Sequence, residues 1–212
     1  MKVYTFYTES HKRFLDDYFL PSFESVGEYE LELQQFDQEC QSGEFMQEGW
    51  NRTMRRKVEY IIQACEETMG GYFIHADIDI QFLRPSKSLL LKELMGYEMV
   101  FQNDLNMMCA GFFACKSSNK TLDFFNGVLD DLPNHGNDQL AINNHLLRGD
   151  IGFKALPNQF YTVAMSLQGR EWDGEELFEI PSDIVLHHAN YTRGIDNKFK
   201  LLDLVKEKTE LK

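Results

Sequence analysis

Residues 72–83, YFIHADIDIQFL, constrain this chain more than any other stretch. Tyr72 to Ala76 is a short apolar run of strand type, and it runs straight into Asp77 and Asp79, with apolar Ile78 between them and Ile80 after. Two carboxylates at i and i+2 therefore close a buried strand. Burying like charges together is costly unless something compensates them. A divalent cation does so, and hard carboxylate oxygens suit Mn²⁺ or Mg²⁺. In open α/β sheets ligands bind beyond the carboxyl ends of the strands, which is where Asp77 falls. The plain alternative is an Asp-rich surface turn, but turns seldom interrupt so apolar a run.

The rest of the chain alternates strand and helix signals. Val3 to Tyr7 is β-branched and aromatic and reads as a first strand. Ser10 reads as the N-cap of a helix ending near Pro21. Tyr29, Leu31 and Leu33 alternate with polar residues, as in a half-buried strand. Helical spacing links Trp50, Met54, Val58, Ile61, Cys65 and Met69, and Gly70-Gly71 ends that helix. Leu89 to Met95 reads as a short helix closed by Gly96, and Thr121 to Leu132 as a helix closed by Pro133. Met99 to Phe101, Phe112 to Ala114 and Ile184 to Leu186 read as strands. Asn137-Asp138-Gln139 opens another short helix, and Ile195 to Leu204 has helical periodicity. This alternation predicts an α/β sandwich with a mostly parallel sheet. Repeats and convincing linkers are absent, so residues 1–212 read as one domain, with the charged tail VKEKTELK compatible with a link to covalently attached further domains.

A second signal is LHHANYTRGIDNK. His187 and His188 follow an apolar strand, so alternation sends them to opposite faces and only one can serve the acidic pair. Gly194 permits close backbone approach to a ligand, and Lys198 offers a point charge for phosphate.

Bulk properties narrow the partners. The net charge of −13 disfavours nonspecific binding to nucleic acid or anionic lipid, so an anionic ligand needs a metal or a few placed Lys and Arg. Cys40, Cys65, Cys109 and Cys115 lack the CxxC spacing of zinc or redox sites and read as free, mostly buried thiols. The start MKVYTFYTES has a strand pattern and not that of a signal peptide, and no run of about eighteen apolar residues exists. A cytoplasmic location is the expectation, and the N-x-S/T triplets at Asn51, Asn119 and Asn190 then read as chance matches.

Five blocks in order carry a resemblance: MRRKVEYII, GGYFIHADIDIQFLRP, AGFFACKSSNKTLDFF, NDQLAINNHL and HHANYTRGIDNK, from residue 54 to residue 200. Together they resemble the GT-A nucleotide-diphospho-sugar transferases, in particular those joining an Asp-x-Asp motif to a C-terminal His…Gly…Lys motif. In its brevity the chain is similar to the virus-encoded members that decorate the capsids of large algal viruses. The resemblance implies a GT-A α/β/α sandwich and metal-dependent transfer of a sugar, from a UDP-sugar or similar donor to a glycan or glycoprotein acceptor. It leans toward retention of anomeric configuration.

The resemblance also implies roles. Asp79 would bind the metal, Asp77 the ribose or the metal, and His188, which fits the His-x-Asn pattern, would be the third ligand. Lys198 would hold the diphosphate near the Gly194 backbone, Lys57 would reach the donor, and Thr8 would lie by the base. Asp138 and Gln139 would stand beside the donor sugar, with Asp138 facing the oxocarbenium-like centre. One departure is Cys109, where many relatives carry Asn. Two other readings share the motif. A non-catalytic nucleotide-sugar-binding module would keep the metal site without turnover. A phosphatase of the haloacid dehalogenase class would place its Asp-x-Asp near the chain start, with Thr or Val where this chain has Gln81.

Overall fold

The structure is a computed structural model that describes residues 1–43 and 46–210. Its centre is a six-stranded sheet in the order β2-β1-β3-β6-β5-β7. The strands are β1 (Lys2–Tyr7), β2 (Glu30–Gln35), β3 (Tyr72–Ala76), β5 (Met99–Asp104), β6 (Met107–Lys116) and β7 (Phe153–Ala155). The β1–β2, β1–β3 and β5–β7 pairings are parallel, and β6 alone runs against its neighbours β3 and β5. A second, three-stranded sheet has the order β4-β9-β8, from β4 (Ile80–Phe82), β8 (Phe160–Thr162) and β9 (Leu186–His188).

Side-chain alternation shows why the central strands are apolar throughout. Val3, Ile74, Val100, Phe112 and Ala114 enter one core, while Tyr4, Phe73, Phe101, Phe113 and Cys115 enter the other. Each strand is buried on both faces, so no polar face is left to break the run. The second core is roofed by α3 (Trp50–Glu67), α5 (Asn119–His135) and α6 (Asp138–Leu146), through residues such as Ile61, Phe125 and Ile142. The first core is closed by α1 (Lys12–Phe14), α2 (Leu20–Val26), α4 (Lys87–Leu94), α8 (Ile195–Glu210) and the small sheet. The short α7 (Val163–Ser166) follows β8. Layers on both faces of a mostly parallel sheet make the expected α/β/α sandwich. No helix among the described residues is long and apolar enough to cross a membrane.

Several boundaries differ from the sequence reading. The first helical stretch does not stop at Pro21, nor does Ser10 cap it. It opens as a 3₁₀ turn (Glu9–His11) after Thr8, passes through α1 and a π turn (Leu15–Phe19), and continues as α2 to Gly27. Pro21 lies just after the π turn, inside this continuous stretch, and Phe23 is buried beyond it. Nor does Pro133 end α5. The helix starts at a Ser118–Thr121 capping box and runs to Gly136, which takes φ +73°, because Leu132 still packs in the core. The last strand begins at Leu186 and includes both histidines, paired with Gln81 and Ile80. The tail is helical to Glu210, with Leu202 and Val205 buried, and Leu211 and Lys212 lie outside the described residues. All four cysteines are buried.

Candidate active site

Asp77, Ile78 and Asp79 form the link between the two sheets. The Asp77 N–H donates to the Gly111 carbonyl at 2.7 Å, extending β3 along β6. The Ala189 N–H donates to the Asp79 carbonyl at 3.0 Å, tying the link to the end of β9. Ile78 turns into the first core, so both carboxylates point away from it. Asp79 faces His188, with Oδ1 3.2 Å from Nε2. One ligand atom each from Asp77, Asp79 and His188 lie within 4.8 Å of one another.

Gly111 makes room for this cluster. A Cβ there would come within 2.4 Å of His188 Cε1 and 2.7 Å of Asp77 Oδ2. Two carboxylates and an imidazole, converging over a glycine, suit Mn²⁺ or Mg²⁺ as a donor set. The anticipated alternation of the histidines also holds. His187 points elsewhere, its Nδ1 3.1 Å from Gln81 Oε1, and burial holds it neutral down to about 3.

The charge balance differs from the sequence argument, which assigned compensation of the acids to a cation alone. Two lysines share in it. Lys198, in the first turns of α8, lies 2.5 Å from Asp79 Oδ2. Buried Lys57, on α3, lies 2.8 Å from Asp77 Oδ1 and 2.9 Å from Asp138 Oδ2. Burial opposes charge on all these groups, but the ion pairs outweigh it: both carboxyls are held well below the usual range and the Lys57 ammonium is held charged. For His188, burial is likewise outweighed by Asp79, and its pKa is raised.

Asp138 is the first residue of α6, and the cap is its neighbour: Asn137 Oδ1 accepts from the Leu140 N–H at 2.7 Å. A capping role for Asp138 is thereby removed, and its carboxylate turns inward to Lys57. Gln139 follows on the site side, donating from Nε2 to Asp104 Oδ2 at 2.6 Å and accepting from the Ala110 N–H at 3.2 Å. Thr8 is buried at the end of β1, with Oγ1 3.3 Å from Ser10 Oγ. Gly194 takes φ +80° just before α8, and its carbonyl accepts from the Lys198 N–H at 3.2 Å.

Sequence reasoning missed several residues that border this cluster, among them His75, whose Nε2 lies 3.2 Å from Asp77 Oδ1. Asp104 is buried at the end of β5, and burial raises its carboxyl pKa; Asn190 Nδ2 reaches it at 3.4 Å. MVFQND repeats the signal that marked Asp77, an apolar strand running into an acid. Tyr191, in the left-handed region at φ +52°, is a second neighbour of Asp104, and burial followed by that carboxylate raises its phenol to about 12. His11 lies near enough to Lys198, Asp79 and Asp77 to sense their charges, although burial dominates and lowers its pKa. Cys109, the departure from the resemblance, sits with Sγ 3.7 Å from His188 Nδ1.

The fold is that of an α/β/α sandwich with its acidic cluster beyond the end of β3, and sequence comparison supplies the family. The chain belongs to the nucleotide-diphospho-sugar transferase family, which it matches over residues 15–202. No curated protein matches the sequence significantly. Among solved structures it is similar to a glycosyltransferase involved in glycosylation of the major capsid of PBCV-1, with TM-score 0.65 and 11% identity over 96% of this chain and 98% of that one. It is also similar to the galactosyltransferase LgtC in complex with donor and acceptor sugar analogues, with TM-score 0.57 and 13% identity over 92% of this chain and 88% of that one. At these identities the likeness is one of fold, and the fold is GT-A.

Proposed function

We propose that this chain transfers a sugar from a nucleotide-diphospho-sugar, a UDP-sugar in the first instance, to a glycan or glycoprotein acceptor with a divalent cation, Mn²⁺ or Mg²⁺. The observation that carries the reading is the convergence of Asp77, Asp79 and His188 over Gly111. These residues would hold the cation, which when bound supplies Lewis-acid stabilisation of the diphosphate leaving group.

The chain's own groups take the remaining roles. Lys198 is partly exposed and adjoins Asp79, so its flexible stem carries the ammonium to a phosphate oxygen beside that carboxylate. The turn at Gly194 brings main chain alongside. Lys57 is held charged between Asp77 and Asp138 and supports the donor from the α3 side. Thr8, with Ser10 and His11, borders the nucleoside end. Asp138 and Gln139 form the sugar-side wall, where a fixed carboxylate and an oriented amide favour a centre that gains positive charge. The Gln139–Asp104 pair extends that wall toward the acceptor.

The test is release of UDP from a panel of UDP-sugars with and without Mn²⁺, alongside nucleotide binding by thermal shift. Mn²⁺-dependent UDP release, lost on Asp79→Ala in a protein that still melts cooperatively, is the expected result. Nucleotide-sugar affinity that chelator leaves unchanged overturns the metal assignment, and binding without any turnover returns the chain to a binding module.

A further inference from the structure

Gln102 lies where the β5–β6 ladder loses register. Phe101 pairs with Phe113 and Asn103 with Met108, so Gln102 alone opposes residues 109–112 of β6. Such an irregularity re-aims a side chain that regular pleating would send elsewhere. The Gln102 side chain is fully buried and spans from β8 to the ligand cluster. Its Nε2 donates to two main-chain carbonyls, Phe160 O at 3.3 Å and Tyr161 O at 3.0 Å. Its Oε1 lies 2.9 Å from His188 Nδ1.

These contacts leave the amide one orientation. The carbonyls of Phe160 and Tyr161 can only accept, so the NH₂ end must face them. Oε1 then faces His188, and Oε1 can only accept, so Nδ1 must carry a hydrogen. In a neutral ring the lone pair is left on Nε2, the atom directed at Asp79. Cys109 Sγ, 3.7 Å from the same Nδ1, is a weaker second acceptor on that side.

We propose that Gln102 is a positioning residue that fixes His188 in the Nδ1–H form, presenting Nε2 as the cation donor. This rests on the metal reading of the site. The neighbouring pair supplies an internal control: His187 Nδ1 is likewise set by an amide, Gln81, whose Nε2 donates to Leu202 O at 3.2 Å, but among the described residues no carboxylate pairs with that ring. The same device thus occurs twice on adjacent residues, and one copy faces the acids.

The experiment is Mn²⁺ titration in the presence of UDP, followed by the electron paramagnetic resonance of free Mn²⁺. Gln102→Met lowers Mn²⁺ affinity about 10- to 100-fold, the usual cost of removing a group that orients a ligand. Gln81→Met changes it by less than about threefold, although it places the same lesion in the core. In a His188→Ala background Gln102→Met adds less than about threefold, because the orienting effect acts only through that ring. Equal losses for Gln81→Met and Gln102→Met, or full additivity with His188→Ala, overturn the proposal. A measurement without substitution guards against a variant that fails to fold: ring ¹⁵N spectra of wild-type protein with Mg²⁺ and UDP show protonated Nδ1 and unprotonated Nε2 at His188. The reverse tautomer refutes the assignment whatever the variants do. Wild-type protein that takes up no Mn²⁺, with Asp79→Ala no different, removes the metal reading itself and this inference with it.

Discussion

Lys57 Nζ stands 2.9 Å from Asp138 Oδ2 and 2.8 Å from Asp77 Oδ1, so one buried ammonium joins the Asp-x-Asp link to the start of α6. Removing the ammonium leaves the buried Asp138 carboxylate facing the half-buried one of Asp77. Lys57→Met is expected to cost about 3–5 kcal/mol, the scale for breaking a buried ion pair by losing one partner. Urea unfolding of metal-free protein measures it, and a cost under about 1 kcal/mol would mean that water reaches Asp138 freely.

Asp138→Asn separates support from chemistry. Asn137 already caps α6, so the helix keeps its N-terminus, and Lys57 keeps Asp77. Transfer is expected to fall about a hundredfold or more with UDP binding nearly intact. Initial rates at saturating Mn²⁺ decide the matter, and a rate within about threefold of wild type denies Asp138 a part in the reaction.

Lys198→Ala should weaken UDP by about tenfold or more and leave uridine unchanged, because a lost charge-assisted contact is felt only by the phosphates. Calorimetric titration of both compounds provides the comparison. Equal losses would assign Lys198 to supporting Asp79 alone.

Gly111→Ala tests the space over the ligand cluster. The added methyl group would lie 2.4 Å from His188 Cε1, so either the ring or the strand must shift. Mn²⁺ affinity is expected to drop about tenfold or more, with a stability cost of about 1–3 kcal/mol. Unchanged affinity would place the cation away from Gly111.

Acid should expose the other histidine. His187 is held neutral to about 3 by burial and by charged His188, against about 6.5 in an unfolded chain. Between those values the unfolded state binds the extra proton, so stability falls as pH drops below about 6.5, by at most about 1.4 kcal/mol per pH unit for this group. Asp77 and Asp79, with lowered values, add the same trend only below about 4. His188, raised, acts the other way and only as pH rises above about 6.5. His187→Leu should therefore lessen the slope of the urea-derived stability profile of metal-free protein between pH 6.5 and about 4.5, to which His75 and His11, also lowered by burial, contribute the same trend. An unaltered slope would mean that His187 is not held neutral.

What the sequence revealed of this site follows from how local each signal is. Asp77, Asp79 and His188 stand at the ends of apolar runs, so strand alternation alone placed the acids together and separated His188 from His187. Helical spacing found α3 and therefore the element that carries Lys57. The partners of those groups were not legible, because they depend on chain separations that no window spans. Lys198 meets Asp79 across 119 residues, and Gln102 meets His188 across 86. Proline misled at residues 21 and 133 because the helix is held by the burial of neighbouring Phe23 and Leu132 in spite of the backbone donor that each proline lacks.

The link at Asp77-Ile78-Asp79 has a mechanical consequence. Asp77 hangs from the six-stranded sheet through the Gly111 carbonyl, while Asp79 is tied through the Ala189 N–H to the end of β9, the strand that carries His188. The spacing of the trio is therefore a gauge of how the two sheets are seated on each other. A cation gripping all three would act as a rivet across that seam, and breaking the main-chain pairing of β4 with β9 would slacken the grip without touching a ligand. Binding at the trio and the protection of β9 amides from hydrogen exchange should then rise and fall together, even for substitutions buried far from the carboxylates.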